Sequence, residues 1–377
     1  MNDILFSKLN LGGLELKNRL VMAPLFLSYA AHGGKPGTLM RDHYQLMARS
    51  GVAMIVVESA AIEYPAGSGS DFVLRADTDE YLDGLTMLAA TIKKQGALAC
   101  LQINHVGRFL PQGTGQVQAV APSAVPAMGP APRPLAGPEI KEMVHKYAAA
   151  ALRAKKAGFD AVELHGGTGY LLAQFVSPRT NVREDEYGGT LENRMRFGIE
   201  VLSAVKAAVG AMPVGFRFLA DEWLPGGLGL EESIPYAKAL AKENVAYLSV
   251  MGGTYESFFL PDVIEKSRKD GFMADLAGAI KKEVDVPVIA AGRISNGKLA
   301  RQIINGKQAD LIGLARVLWT DPQWPEKVRQ DRENEIIHCD PACGDTCMQM
   351  IMMGKPAFCV RWPTEKQREW KGKKAER

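Results

Sequence analysis

Short apolar runs recur along the chain, and each pair is separated by enough residues for one helix. The runs are rich in Val, Ile, Leu and Ala and do not alternate strictly with polar residues. That pattern is typical of parallel strands that are buried on both faces of a sheet. The predicted strands are Leu20–Ala23, Met54–Glu58, Ala97–Ile103, Ala161–Leu164, Val214–Phe218, Tyr247–Val250, Val288–Ala290 and Leu311–Leu314.

Longer amphipathic segments lie between these runs. In one of them Ile199, Leu202, Val205 and Val209 repeat at the spacing of one helix face. The predicted helices are Arg41–Ser50, Tyr81–Lys94, Pro138–Ala157, Leu191–Ala208, Glu231–Glu243, Met273–Val284 and Gly297–Asn305.

Alternation of eight strands with helices fits either a closed barrel or an open doubly wound sheet. The number of strands favours the barrel. A dinucleotide-binding sheet would carry G-x-G-x-x-G after its first strand, where this chain has Ala23-Pro24-Leu25-Phe26. The segment Leu9–Asn18, with a Gly-Gly turn, predicts a hairpin that plugs the barrel floor. We therefore predict an α/β protein, a (β/α)₈ TIM barrel with an N-terminal hairpin.

Two segments interrupt the alternation. Gly107–Gly137 is rich in Pro and Gly, and a loop of this length after the third strand is typical of a lid or binding loop on the catalytic face. From about Asp331 the alternation stops and a cysteine-rich tail begins. We predict a barrel domain over residues 1–330 and a cysteine-cluster tail over residues 331–377.

Composition and charge narrow the classes of function. The chain is 47% hydrophobic and 23% charged, with a net charge of +3. This balance gives no reason to expect nucleic acid or a membrane as the main partner. The N-terminus has no signal-peptide pattern and the chain has no run of 18 apolar residues, so we expect a cytoplasmic protein.

Polar residues stand at the predicted strand ends, where barrel enzymes place their catalytic groups. His165 follows the fourth strand, Gln102 lies in the third and Arg217 in the fifth. An Arg inside an apolar strand is costly unless it is paired. An isoalloxazine edge that becomes anionic on reduction would pair with it, and an ion pair with Glu163 is the structural alternative.

Paired Gly and Arg residues follow the last two strands. Gly292 and Arg293 come after the seventh strand, and Gly313 and Arg316 accompany the eighth. Backbone N–H groups and guanidinium groups at these two positions are typical of the phosphate site of TIM barrels.

The five cysteines divide into one and four. Cys100 lies in an apolar run and is predicted to be a small core residue. The other four are spaced C-x₃-C-x₃-C-x₁₁-C, and in a large chain without a secretory signal such a cluster indicates metal binding or a catalytic role rather than disulfides. Four thiolates suit a [4Fe–4S] cluster, with tetrahedral zinc as the alternative. The four are Cys339, Cys343, Cys347 and Cys359.

These features together resemble the Old Yellow Enzyme family of FMN barrels, over Leu5 to about Pro363. The strings Ser177-Pro178-Arg179-Thr180-Asn181 and Tyr187-Gly188-Gly189 carry much of the likeness. The branch with 2,4-dienoyl-CoA reductase and trimethylamine dehydrogenase is the most similar, and its cysteine spacing, C-x₂-C-x₃-C-x₁₁-C, differs by one residue at the first position. That shift leaves Asp340 or His338 as a possible ligand.

The resemblance implies roles for individual residues. FMN would contact Ala23, Pro24, Leu25 and Ala60 through the backbone, Gln102, His165 and Arg217 through its ring, and Gly292, Arg293, Gly313 and Arg316 through its phosphate. Tyr170 matches a Tyr that faces the substrate, and Tyr255 stands where dienoyl-CoA reductase has a catalytic His. Thr168 replaces the usual second His or Asn.

The activity that the resemblance implies is reduction of the activated C=C bond of an α,β-unsaturated carbonyl compound, such as an enoyl- or dienoyl-CoA thioester. His165 would polarise the carbonyl, and Tyr170 or Tyr255 would donate the proton. The rivals are an amine dehydrogenase of the trimethylamine dehydrogenase type and a non-catalytic electron-relay subunit. Because no second nucleotide fingerprint follows the cysteines, we expect a separate electron-donor protein. We also expect the protein to be a homo-oligomer.

Overall fold

Parallel strands of mostly apolar residues form the centre of the computed structural model, which describes residues 3–111, 117–127 and 129–374. The strands are β1 (Leu9–Leu11), β2 (Leu14–Leu16), β3 (Leu20–Met22), β4 (Met54–Ala61), β5 (Leu74–Arg75), β6 (Leu98–Asn104), β7 (Val120–Ala121), β8 (Arg133–Pro134), β9 (Ala161–Gly166), β10 (Val214–Asp221), β11 (Leu248–Gly252), β12 (Val288–Ala290) and β13 (Leu311–Leu314).

Helices follow most of the barrel strands. They are α1 (Thr38–Ala48), α2 (Leu82–Lys93), α3 (Gly137–Lys156), α4 (Leu171–Val176), α5 (Leu191–Val209), α6 (Leu230–Lys242), α7 (Pro261–Ser267), α8 (Ala274–Lys281), α9 (Gly297–Asn305), α10 (Arg316–Thr320), α11 (Trp324–Arg329), α12 (Thr346–Met352) and α13 (Thr364–Lys374).

The sheet closes on itself. Strands β3, β4, β6, β9, β10, β11, β12 and β13 pair in parallel in that order, and β13 returns to β3. Val21 shows the closure, because it is in register with Met54 of β4 and with Gly313 of β13. The predicted (β/α)₈ barrel is thereby confirmed, and a closed sheet excludes the doubly wound alternative.

The hairpin of β1 and β2 covers the floor of the barrel, as predicted. Gly12 and Gly13 have φ values of 58° and 100°, the pair of positive values that a type I′ turn requires. Leu11 and Leu16 are fully buried in a small core with residues of the barrel strands. Cys100 belongs to this core and has no exposed surface, which confirms the prediction for it.

The helices bury one face each against the barrel or a neighbour. Helix α3 begins at Gly137 with a Pro in its first turn and the Glu139 carboxylate on the Ala136 N–H. Its Tyr147 ring meets Phe197 of α5, 6.4 Å between ring centroids. In the described residues no helix is long and apolar enough to span a bilayer.

The tail packs onto the face of the barrel where the strands end. The Ala357 N–H donates to the Leu27 carbonyl, which follows the first barrel strand, and the Tyr29 hydroxyl donates to the Ala357 carbonyl, both at 2.9 Å. The Trp370 indole of α13 donates to Tyr29 at 3.1 Å. These contacts hold the cysteine segment beside the barrel mouth, while the division at residue 330 stays a prediction.

The long segment after β6 is only partly described. A 3₁₀ turn spans Gly107–Phe109, and β7 pairs with β8 in parallel. Residues 112–116 and 128 of the predicted lid lie outside the described residues.

Candidate active site

Parallel strands bring a buried polar network to the mouth of the barrel. Gln102 is in register with Glu163, and the amide of Gln102 donates to that carboxylate at 2.8 Å. The Tyr247 hydroxyl donates to the other carboxylate oxygen at 3.0 Å. Burial raises the pKa of the Glu163 carboxyl, and the nearby Arg217 charge and these two hydrogen bonds oppose that shift. The network fixes Gln102 within the wall of the barrel.

Arg217 lies on β10, in register with His165 of β9 and with Ser249 of β11. Its Nη1 donates to the Ser249 hydroxyl at 2.7 Å. Burial lowers the pKa of Arg217, and the charge of Glu163 counteracts that effect. Among the described residues Arg217 makes no ion pair within 4.0 Å, so the direct pair with Glu163 weighed above does not form. The guanidinium keeps N–H donors for another group.

His165 is a buried and neutral imidazole. Its Nδ1 accepts a hydrogen bond from the Gly167 N–H at 3.2 Å, which places the ring proton on Nε2. Burial, and next the Arg217 charge, lower the pKa of His165 to about 3. The side chain can therefore donate a hydrogen bond from Nε2 at neutral pH without carrying a charge.

Two tyrosines from different loops meet above this histidine. The Tyr170 and Tyr255 hydroxyls are 3.0 Å apart, and the Tyr170 ring lies 4.9 Å from His165 in an edge contact. Phe109 contacts both tyrosine rings. Burial raises the pKa of both phenols, so both remain protonated at neutral pH. The structure thus brings together the three residues that were predicted to be catalytic.

Thr168, which stands where the resemblance expects a second His or Asn, adopts a left-handed conformation with φ of 61°. It forms a single β-bridge with Thr254 of the loop after β11. Its hydroxyl contacts the Met251 sulfur at 3.7 Å. Thr168 therefore joins two loops of the barrel mouth.

Three residues without a predicted role also belong to this region. Arg108 forms a close ion pair with Glu256, and Gln174 accepts from the Arg108 N–H at 3.1 Å. The only sequence signal for them is position: Arg108 follows the third strand, and Glu256 follows Tyr255.

The residues assigned to the flavin face lie at the rim of the first two barrel strands. The Ala23 N–H donates to the Leu314 carbonyl at 3.0 Å, which extends the pairing of β3 with β13. Ala60 is fully buried in β4, whereas Pro24 and Leu25 are half-buried. Their contact with FMN stays a prediction.

The predicted phosphate residues lie between the barrel and the tail. Gly292 has φ of 104°, and a Cβ there would be 3.0 Å from Met273; a Cβ on Gly313 would be 3.1 Å from Ala291. Arg293 donates to the carbonyls of Ser267 and Cys339, at 2.8 and 3.1 Å, and Arg316 pairs with Asp345 at 2.9 Å. Both guanidinium groups therefore contact neighbouring segments, and their role at a phosphate stays a prediction.

All four tail cysteines line one cavity together with Arg316 and Asp340. None of them forms a disulfide. Burial raises the pKa of the Cys347 thiol to about 11, and the Arg316 charge opposes that shift. Within the described ranges, no three His, Cys, Asp or Glu side chains are arranged around a single metal ion.

Comparison with known proteins shows the family. Residues 4–335 match the NADH:flavin oxidoreductase / NADH oxidase family. The chain is 43% identical over 340 residues to an NADH oxidase of Thermoanaerobacter brockii, covering 89% of this chain and 52% of the relative. It is 37% identical over 361 residues to a metal reductase of Desulforamulus reducens, covering 95% and 53%. The chain thus spans about half the length of these two relatives.

Other relatives are matched along almost all of their length. An NADPH dehydrogenase of Geobacillus sp. is 35% identical over 328 residues, which cover 86% of this chain and 93% of the relative.

Solved structures share the fold across nearly the whole chain. A 2-naphthoyl-CoA reductase in complex with 2-naphthoyl-CoA superposes with a TM-score of 0.90 at 27% identity, covering 98% of this chain and 58% of that one. A histamine dehydrogenase from Rhizobium sp. 4-9 gives 0.86 at 29% identity, covering 96% and 52%. The Old Yellow Enzyme resemblance is confirmed at the level of the family, and the iron–sulfur branch stays a prediction. The chain belongs to the NADH:flavin oxidoreductase / NADH oxidase family, and this membership supports FMN as its cofactor.

Proposed function

We propose that this protein reduces the activated C=C bond of an α,β-unsaturated carbonyl compound. The observation that carries the proposal is the pair of protonated tyrosines, Tyr170 and Tyr255, in contact with the neutral His165 at the barrel mouth. A neutral imidazole and two phenols are hydrogen-bond and proton donors. Donors are what an unsaturated carbonyl needs as its oxygen and α-carbon gain electron density.

The polar residues of the mouth fit the ring of FMN. Arg217 keeps free N–H donors and a positive charge, and Gln102 is oriented by Glu163. We propose that Gln102, His165 and Arg217 hold the polar edge of the ring. FMN, when bound, supplies the hydride for the reaction.

The protein's own residues then complete the chemistry. We propose that the Nε2–H of His165 polarises the substrate carbonyl. The proton for the α-carbon comes from Tyr170 or Tyr255, and the hydrogen bond between the two hydroxyls lets one phenol replace the proton that the other has given up. The aromatic ring of Phe109 limits the access of water to this pair.

We propose an enoyl or dienoyl thioester as the substrate class. The supporting observation is the similarity to a reductase whose structure holds 2-naphthoyl-CoA, which extends over 98% of this chain. The similarity to histamine dehydrogenase, together with the aromatic residues Phe109, Tyr170 and Tyr255, supports amine oxidation as the second candidate. A non-catalytic relay subunit is the third.

We further propose that the four tail cysteines hold a [4Fe–4S] cluster that relays electrons. Four free thiols line one cavity, and four cysteine thiolates are the ligand set of such a cluster; Arg316 lines the same cavity and brings a positive charge to it. Tetrahedral zinc is the alternative occupant of the same four thiols.

The test uses protein purified without oxygen, with its flavin reduced by an artificial donor. Titration with cyclohexenone and with a short enoyl-CoA, followed in the visible spectrum, should reoxidise the flavin stoichiometrically. Histamine and trimethylamine, added to the oxidised protein, should leave the spectrum unchanged. If an amine reduces the flavin, and neither cyclohexenone nor the enoyl-CoA reoxidises it, the proposal is refuted in favour of amine oxidation. No reaction with any of them would favour the relay subunit.

A further inference from the structure

Hydrogen bonds tie three loops of the barrel mouth together around the tyrosine pair. Gln174 of α4 accepts from the Arg108 N–H at 3.1 Å and donates to the Gly169 carbonyl at 2.8 Å, so it joins the loops after β6 and β9. The β-bridge between Thr168 and Thr254 joins the loops after β9 and β11. The loops after β6 and β11 are joined by a different kind of contact.

An ion pair supplies that connection. Arg108, whose side chain is 3% exposed, contacts the carboxylate of Glu256, which is 24% exposed. The Arg108 Nη1 also donates to the Pro126 carbonyl at 2.9 Å, and Arg179 lies 3.6 Å from the same Glu256 oxygen. Desolvation of a buried ion pair offsets much of the attraction between its charges, so the pair is weak evidence for added stability.

The two aromatic residues next to the ion pair in sequence contact each other. Tyr255 directly precedes Glu256, and Phe109 directly follows Arg108. The Phe109 ring lies 5.4 Å from the Tyr255 ring and 5.2 Å from the Arg108 guanidinium carbon. The ion pair and the contact between the two rings thus join adjacent residues of the same two loops, and the Tyr255 hydroxyl lies 3.0 Å from that of Tyr170.

We propose that the Arg108–Glu256 ion pair positions Tyr255 for proton transfer to the substrate. Arg108 and Glu256 are positioning residues, because they act through Tyr255 and need not touch the substrate. The inference rests on the proposed function, in which Tyr170 or Tyr255 supplies the proton. A displacement of about 1 Å at a reacting group costs on the order of 100-fold in rate, so a single charged link is enough to matter.

The test measures reoxidation of the reduced flavin by cyclohexenone in stopped flow. Glu256→Gln should lower the limiting rate constant roughly 10- to 100-fold, with the enone dissociation constant and the flavin content unchanged. Glu256→Asp, which keeps the charge, should recover part of the rate. The matched control is Glu232→Gln, because Arg194–Glu232 is another ion pair with one side chain buried. An equal loss of rate in the control, or no loss in Glu256→Gln, would overturn the proposal.

A second measurement does not depend on turnover. In protein labelled with ¹³Cζ-tyrosine, the resonances of Tyr170 and Tyr255, assigned from the Tyr→Phe variants, should both move in Glu256→Gln and stay in place in Glu232→Gln. Unmoved resonances refute the positioning role. If the wild type reduces no enone, the proposed function fails while the resonances still decide whether the pair holds Tyr255. Should Glu256→Gln not fold, the double variant Arg108→Gln/Glu256→Gln, which removes both charges, is measured in the same way.

Discussion

At the scale of single residues, Arg217 is the residue that we propose to bind the polar edge of the flavin. It is in register with His165, and its Nη1 donates to the Ser249 hydroxyl. We predict that Arg217→Ala weakens FMN binding roughly 10- to 100-fold, the equivalent of about 1.5–3 kcal/mol for a lost charge-assisted hydrogen bond. The flavin that remains bound should have a lower reduction potential. Equilibrium dialysis and potentiometry measure both, and Arg217→Lys, which keeps the charge, should lie between. Unchanged affinity and potential in Arg217→Ala would contradict the assignment.

The tyrosine pair makes a prediction at the same scale. The two hydroxyls are 3.0 Å apart, and we propose that either phenol can supply the proton. Tyr170→Phe and Tyr255→Phe should each slow reoxidation by an enone, and the double variant should slow it by more, on the order of 100-fold or above. Flavin reduction by an artificial donor should stay near the wild-type rate in all three. The ordinary pKa of a tyrosine is about 10, and burial raises the pKa of both phenols above that value. Between about pH 6 and pH 9 the wild-type rate should therefore not fall through ionisation of this pair. A wild-type oxidative half-reaction in the double variant would exclude the mechanism.

At the scale of elements, the strands were predictable and several connections were not. The apolar runs located all eight barrel strands, with β12 and β13 exact to the residue, because a strand buried on both faces has a local signal. Helix α4 was missed, since all six of its residues are buried and it shows no polar face. The contact of Tyr255 with Tyr170 and the pairing of Arg108 with Glu256 join residues far apart in sequence, so composition and periodicity hold no signal for them.

Gly107 tests how tightly the loop after β6 is held. Its φ is +61°, and a Cβ there would overlap the Gln174 amide that joins two loops. We predict that Gly107→Ala destabilises the fold by roughly 3 kcal/mol, backbone strain and clash together. Gly51→Ala is the matched control, because Gly51 has φ of +90° with nothing within 4 Å of the added Cβ, and it should cost about 1 kcal/mol. Chemical denaturation compares the two variants. Equal losses would mean that Gln174 moves aside without cost and that the loop is loosely held.

At the scale of the whole molecule, the tail brings the cysteine cavity next to the predicted cofactor site. Arg293, from the predicted phosphate site, donates to the Cys339 carbonyl at 3.1 Å, and Arg316 lines the cysteine cavity itself. The two sites therefore share side chains. This adjacency supports our proposal that electrons pass between a cluster and FMN.

The site at which electrons enter the protein can be located by experiment. We propose that electrons reach the flavin through the cysteine site from a ferredoxin or flavoprotein donor that docks near Cys339–Cys359. Flavin reduction by NADH or NADPH alone should then be slow, and a low-potential protein donor should make it fast. Cys343→Ser should abolish that acceleration while reoxidation by an enone continues. The opposite outcome is direct reduction of the flavin by a nicotinamide. Rapid, saturable reduction by NADH or NADPH that is unaffected in folded Cys343→Ser would establish that outcome and leave the cysteines a structural role.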